Sequence, residues 1–233
     1  MVAGFQRSPK GLYVPNPVGL PGFQRQGMNQ AKKGASTWVD FINTANSGAT
    51  GAGSMAVTKP SGIQVSDLVL VHVEDTVTAV TMNTSGGSSW PKIFMTASGL
   101  NQDGDALFWK VLTATDVANA WDVSVGGQGA LSARYRGNGA TAVTSKSTNN
   151  GGGSPMTLTG FAKAANHYGV LSFVAGSSAF TPPTGFDERY DAAPVSSRIG
   201  LADRRAGYVD NAAVAWTVVS GSARGFLVEV TGP

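Results

Sequence analysis

Beyond residue 36 the chain is a succession of short apolar runs separated by turn residues, with almost no helical periodicity. Ser36-Thr-Trp-Val-Asp-Phe-Ile42 alternates as a strand does, and Asn46-Ser-Gly-Ala-Thr-Gly-Ala-Gly53 reads as a loop. Asp67-Leu-Val-Leu-Val-His-Val73 is apolar almost throughout, the pattern of a strand buried on both faces. Strands are expected again at Ala106–Val111, Trp121–Val125 and Ala130–Tyr135. Turn chemistry separates them, at Ser85-Gly-Gly-Ser88, Asp103-Gly-Asp105 and Gly126-Gly-Gln-Gly129. The single helical hint is Thr113-Ala-Thr-Asp-Val-Ala-Asn-Ala120, enough for one or two turns.

A polar stretch from Thr144 to Ser154 follows, and then the order of elements begins again. Tyr168–Val174 answers the run at 67–73, Arg198–Ala202 answers the Leu107 strand, and Ala213–Val219 and Gly225–Val230 answer the last two. The pattern is an internal duplication with a period of roughly 90–105 residues, far longer than a solenoid repeat. It predicts an all-β protein, an antiparallel jelly-roll-like β-sandwich built from two halves at about 57–144 and 155–233 within a body at 37–233. With four or five visible strands per half, one shared sandwich is expected rather than two domains.

Charge changes the picture at the N-terminus. Residues 1–36 hold Arg7, Lys10, Arg25, Lys32 and Lys33 and no acidic residue, so the other twelve Lys and Arg face all fourteen Asp and Glu. The same segment is rich in Pro and Gly and carries Gly-Phe-Gln-Arg twice, at 4–7 and 22–25. Such a segment builds no core of its own, and its prolines favour extended backbone with unpaired groups. It reads as an extended basic assembly arm, with Phe5, Leu12, Tyr13 and Phe23 as apolar anchors and Arg7 and Arg25 as complements to an acidic partner. The basic excess lies in the arm alone, which argues against nucleic-acid binding by the body.

Charged residues make up 13% of the chain, about half of the ~25% usual in soluble domains, while Gly reaches 31. There is no cysteine, which excludes disulfides, zinc–thiolate sites and cysteine nucleophiles. The N-terminus lacks the apolar stretch of a signal peptide, so synthesis in a cytosol without a membrane is expected.

Several segments together resemble a module of tailed-bacteriophage minor tail and fibre proteins. They are the Asp67-Leu-Val-Leu strand opener, Trp90 in the loop after it, Leu107-Phe-Trp-Lys-Val111 and Ala133-Arg-Tyr-Arg-Gly137. The second half adds Phe180-Thr-Pro-Pro-Thr-Gly-Phe-Asp-Glu-Arg189, Ala202-Asp203 and the closing Phe226-Leu-Val-Glu-Val230. The resemblance spans about residues 57–231 and leaves out the arm. It implies a non-enzymatic virion component with no catalytic residues to carry over.

The remaining chemistry supports that expectation. His72 and His167, the two histidines, sit in corresponding apolar regions without metal-ligand spacing and read as satisfied core residues. Asn101–Asp105 has oxygen ligands at alternate positions but no distal Glu, and a hairpin turn explains it better than calcium. Glu74-Asp75, even joined by Glu188, reads as a solvated strand end rather than a glycosidase pair. No metal or cofactor is called for. Trp109, Trp121 and Trp216 fall inside strands and are expected in the core, whereas Trp90, between Ser89 and Pro91, is expected in a loop and exposed for sugar stacking or a subunit contact. Arg204, Arg205 and Tyr208 form a polar loop suited to an interface or a glycan, and equally to a solvated turn.

The expectation is a minor tail or fibre-type protein of the virion, oligomeric, docked by its arm to other phage structural proteins and displaying its body, with host-surface glycan contact open to it. The rival readings are a head decoration protein whose arm clamps capsid subunits and a free carbohydrate-binding module. A glycan-degrading enzyme comes last.

Overall fold

The computed structural model describes residues 38–48, 53–76, 79–96, 104–124, 129–136, 139–194, 198–221 and 223–233. The arm and its residues Phe5, Arg7, Leu12, Tyr13, Phe23 and Arg25 lie outside them.

Among the described residues, eight strands make up the first repeat: β1 (Asp40–Gly48), β2 (Met55–Ala56), β3 (Asp67–Thr76), β4 (Met82–Thr84), β5 (Lys92–Thr96), β6 (Gly104–Val111), β7 (Trp121–Val123) and β8 (Gly129–Arg136). A short helix, α1 (Ala114–Ala118), separates β6 from β7 and matches the helical hint in the sequence. Eight more make up the second: β9 (Ala142–Gly152), β10 (Met156–Leu158), β11 (His167–Gly176), β12 (Phe180–Thr181), β13 (Asp187–Ala192), β14 (Arg198–Arg204), β15 (Val214–Val218) and β16 (Ala223–Thr231).

The two repeats have the same topology. The first forms a five-stranded sheet in the order β1-β8-β3-β6-β5 and a three-stranded sheet in the order β2-β7-β4. The second gives β9-β16-β11-β14-β13 and β10-β15-β12, the same orders shifted by eight strands. All the pairings are antiparallel, and the nested pairs β1–β8, β2–β7 and β3–β6 are those of a ribbon rolled into a jelly roll.

Each repeat is therefore a complete two-sheet sandwich, which corrects the expectation of a single shared one. The sequence shows only the strong apolar runs. It hides the outer-sheet strands β2, β4, β10 and β12, two or three residues long, and the polar edge strands. The stretch from Thr144 to Ser154, read as the divide between halves, is largely edge strand β9, and the first repeat opens at β1 rather than near residue 57.

Among the described residues, three apolar cores hold this arrangement. The middle one joins the two large sheets face to face: Leu68, Leu70, Leu107, Leu131 and Tyr135 from the first repeat meet Leu171, Phe173, Leu201, Phe226 and Val228 from the second. One outer core packs Val69, Val71, Phe108, Trp121 and Val123 under the first small sheet. The other packs Val170, Val174, Leu227, Trp216 and Met156 under the second. The layers thus run small sheet, large sheet, large sheet, small sheet. Both faces of each large sheet are buried, which is why β3 and β11 read as continuous apolar runs. The small sheets face solvent, and β15 alternates buried Val214, Trp216 and Val218 with exposed Ala215 and Thr217.

Polar contacts cross the seam between the sandwiches. Asp105 on β6 pairs with Arg224 on β16 at 3.2 Å, Arg205 pairs with Asp40, and Asn46 donates to the Tyr190 hydroxyl at 3.0 Å. The Arg189 guanidinium stacks 5.1 Å from the Phe41 ring. The two histidines occupy different positions. His72 lies mid-strand on β3, edge-on to the rings of Phe173 and Phe226, whereas His167 opens β11 beside Glu229.

Candidate functional site

Among the described residues, five buried carboxylates, Asp67, Asp105, Asp116, Asp203 and Glu229, are engaged in structural ion pairs. Asp67 accepts from Arg134 Nε at 2.7 Å, Asp203 from Arg189 at 2.9 Å, and Glu229 binds Lys146 at 2.7 Å and His167 at 2.8 Å. Asp105, read in sequence as part of a turn, is buried inside β6, where His72 Nε2 and Arg224 converge on it. Glu74 is buried on β3, while Glu188 is exposed on β13.

Trp90 is not exposed. Its ring lies 5.0 Å from that of Trp121, its indole N–H donates to Thr84 Oγ1 at 3.1 Å, and 4% of the residue remains accessible. The polar residues around it describe the backbone path, and the ring turns inward to cover the first outer core. The surface role expected for Trp90 is withdrawn. Trp109 is only partly buried against the middle core, whereas Trp121 and Trp216 are fully buried as expected.

The loop from Arg204 to Ala213 behaves differently. Together with the turn Pro183–Phe186 and the first residues of β15, it encloses an open cleft of about 180 Å³ at one end of the second sandwich. The cleft exists because of two prolines. The β12–β15 ladder ends at Thr181↔Thr217, since Pro182 and Pro183 have no N–H to donate, and β15 at Val214 and Ala215 is left uncovered by β12. The Thr-Pro-Pro-Thr-Gly turn noted in the sequence is thus the feature that opens the cleft.

Arg204 and Tyr208 both line it, and the structure brings them together as the sequence reading grouped them. They play different parts. Tyr208 is buried and stacks on Phe161 at 4.9 Å. Its hydroxyl accepts from Phe161 N–H at 3.1 Å and donates toward the Ala212 carbonyl at 3.4 Å. Burial raises its pKa above the ordinary tyrosine value, so it stays protonated and keeps that donor role. It shapes the wall. Arg205 is exposed but turned to Asp40 across the seam.

Arg204 ends β14 two residues after Ala202, on the face turned toward the second outer core. Its Nε donates to the Ala206 carbonyl at 3.3 Å, and among the described residues it makes no ion pair. Its guanidinium lies against the turn at Gly185, where φ is +81° and an added Cβ would fall 2.7 Å from Nη1. Glycine serves both the turn and the close approach there.

A methyl group at Gly160 would meet the Ala212 carbonyl oxygen at 2.2 Å. Gly160→Ala is therefore expected to push the 209–213 loop outward and lower stability by about 1–3 kcal/mol. Urea unfolding checks the loss, and an unchanged midpoint would contradict the packing of this loop on its neighbour.

Comparisons with protein families, curated proteins and solved structures find no match for this chain. Its function is therefore argued from its own residues.

Proposed function

We propose that the protein is a structural component of a tailed-phage virion, a minor tail or fibre-type protein. In this reading residues 1–36 dock it to its neighbours and the paired sandwiches are the displayed body. The observation that carries the reading is the union of a rigid tandem jelly roll with a basic arm free of acidic residues. Jelly rolls recur in virion shells and in lectins, both of which ask for stable sheets with variable loops at their ends. The buried charges Asp67, Asp105, Asp116, Asp203 and Glu229 are consumed in holding strands and loops together, which suits a scaffold more than an acid–base centre. The arm adds what a free binding module has no use for, a basic and aromatic segment whose composition suits docking on an acidic partner.

Deleting residues 1–36 is expected to abolish incorporation into particles while the body keeps its unfolding transition. Quantitative blotting of purified particles measures the first and circular dichroism the second. Truncated protein entering particles at the wild-type level would refute docking by the arm.

A further inference from the structure

We infer that the Arg204 cleft is a recognition site for an acidic sugar, with the guanidinium receiving the sugar's carboxylate. The inference rests on the reading above for its setting, a body displayed to a surface, and on the cleft itself for its chemistry.

Arg204 stands apart from its neighbours. Arg134, Arg189, Arg198, Arg205 and Arg224 each pair with an aspartate. Arg204 is half-buried and, among the described residues, holds only a neighbouring carbonyl. The acids near it are committed elsewhere: Asp203, on the opposite face of β14, to Arg189, Asp187 also to Arg189, and Asp210 to Lys163. A guanidinium so placed offers the planar, two-pronged donor set that a carboxylate matches.

The walls define the rest of the ligand. At about 180 Å³ the cleft is smaller than the ~300–1,000 Å³ that takes a drug-sized molecule, so it admits one ring or one residue. Val209, 62% exposed, and Ala213 present an apolar surface to a ring's C–H face. The Thr184 hydroxyl and the stretch of β15 uncovered by β12 supply partners for ring hydroxyls. That stretch, Val214 to Trp216, is three residues long, too short for an extended peptide to join as a strand. A compact hydroxylated acid fits these features better than a peptide does. A site this small binds weakly, and repeated copies on a particle would raise its avidity.

The test is calorimetric titration of the full-length protein with glucuronic acid, the methyl glycoside of glucose and N-acetylalanine. Glucuronic acid is expected to bind at millimolar concentration and the neutral glycoside about tenfold more weakly or worse. Arg204→Gln is expected to lower glucuronate affinity about tenfold or more with the thermal transition unchanged. Ala213→Trp, at an exposed position, fills the cleft and should abolish binding even if Arg204→Gln proves unstable. Equal binding of acid and neutral sugar, no acid binding at millimolar concentration, unchanged affinity in both variants, or preference for N-acetylalanine would each overturn the inference. The titration needs no particle, so its failure leaves the virion role standing, and failure of that role leaves the titration valid.

Discussion

Asp105→Ala is expected to lower the unfolding free energy by about 3–5 kcal/mol, the usual consequence of removing one member of a buried charge pair. The carboxylate is fully buried, with His72 Nε2 at 3.3 Å on one oxygen and Arg224 at 3.2 Å on the other. Its loss takes the carboxylate away from a guanidinium only 19% exposed and from an imidazole enclosed by the rings of Phe173 and Phe226. Because β6 and β16 belong to different repeats, the damage falls on the seam between the sandwiches as well as on one strand. Urea unfolding measures it. A loss below about 1 kcal/mol would mean that the middle core binds the repeats without help from this pair.

Asp116→Ala is expected to cost a similar amount, about 3–5 kcal/mol, through a different unit. Asp116 accepts from Lys110 Nζ at 2.6 Å and Thr84 Oγ1 at 2.7 Å, and it closes a capping box with Thr113 at the start of α1. Thr84 passes the connection on to the indole N–H of Trp90. Burial pushes the Asp116 pKa upward, but the bonds from Lys110, Thr113 and Thr84 outweigh it and hold the carboxyl at about 2. A carboxyl held lower in the folded state than in the unfolded one stabilises fully above the unfolded pKa. That part of the stability is lost as pH falls from about 4 through about 2, and is on the order of 2 kcal/mol. Glu229 acts in the same direction: burial works against its ionisation, and Lys146, the Ala164 N–H and His167 more than compensate. Wild-type stability should therefore drop in acid, and Asp116→Ala should drop less steeply because its loss is already present at neutral pH. Parallel pH profiles of the two proteins would contradict the role of Asp116.

The parts of the fold legible in the sequence are those whose burial leaves a long local trace. β3 and β11 stood out because both faces of each large sheet are covered, and β15 because one face is not. The duplication followed from them. What stayed hidden was short or polar: β12 has two residues, and β9 reads as a linker since an edge strand needs few apolar side chains. Asp105 looked like a turn residue because nothing local announces that His72 and Arg224, distant in sequence, converge on it. Trp90 misled in the opposite sense, since polar neighbours in sequence say little about where a ring points. Arg204 and Tyr208 were visible as a polar loop, but the cleft between them depends on a ladder stopped by Pro182 and Pro183, and only the register reveals it.

The claim that this is a displayed virion component is tested most directly by immunogold electron microscopy of purified particles with antibody against the body. Gold along the tail or at its tip is the predicted result. Unlabelled particles would contradict the assignment to a virion, and gold confined to the head would contradict the tail role and make the protein a capsid decoration.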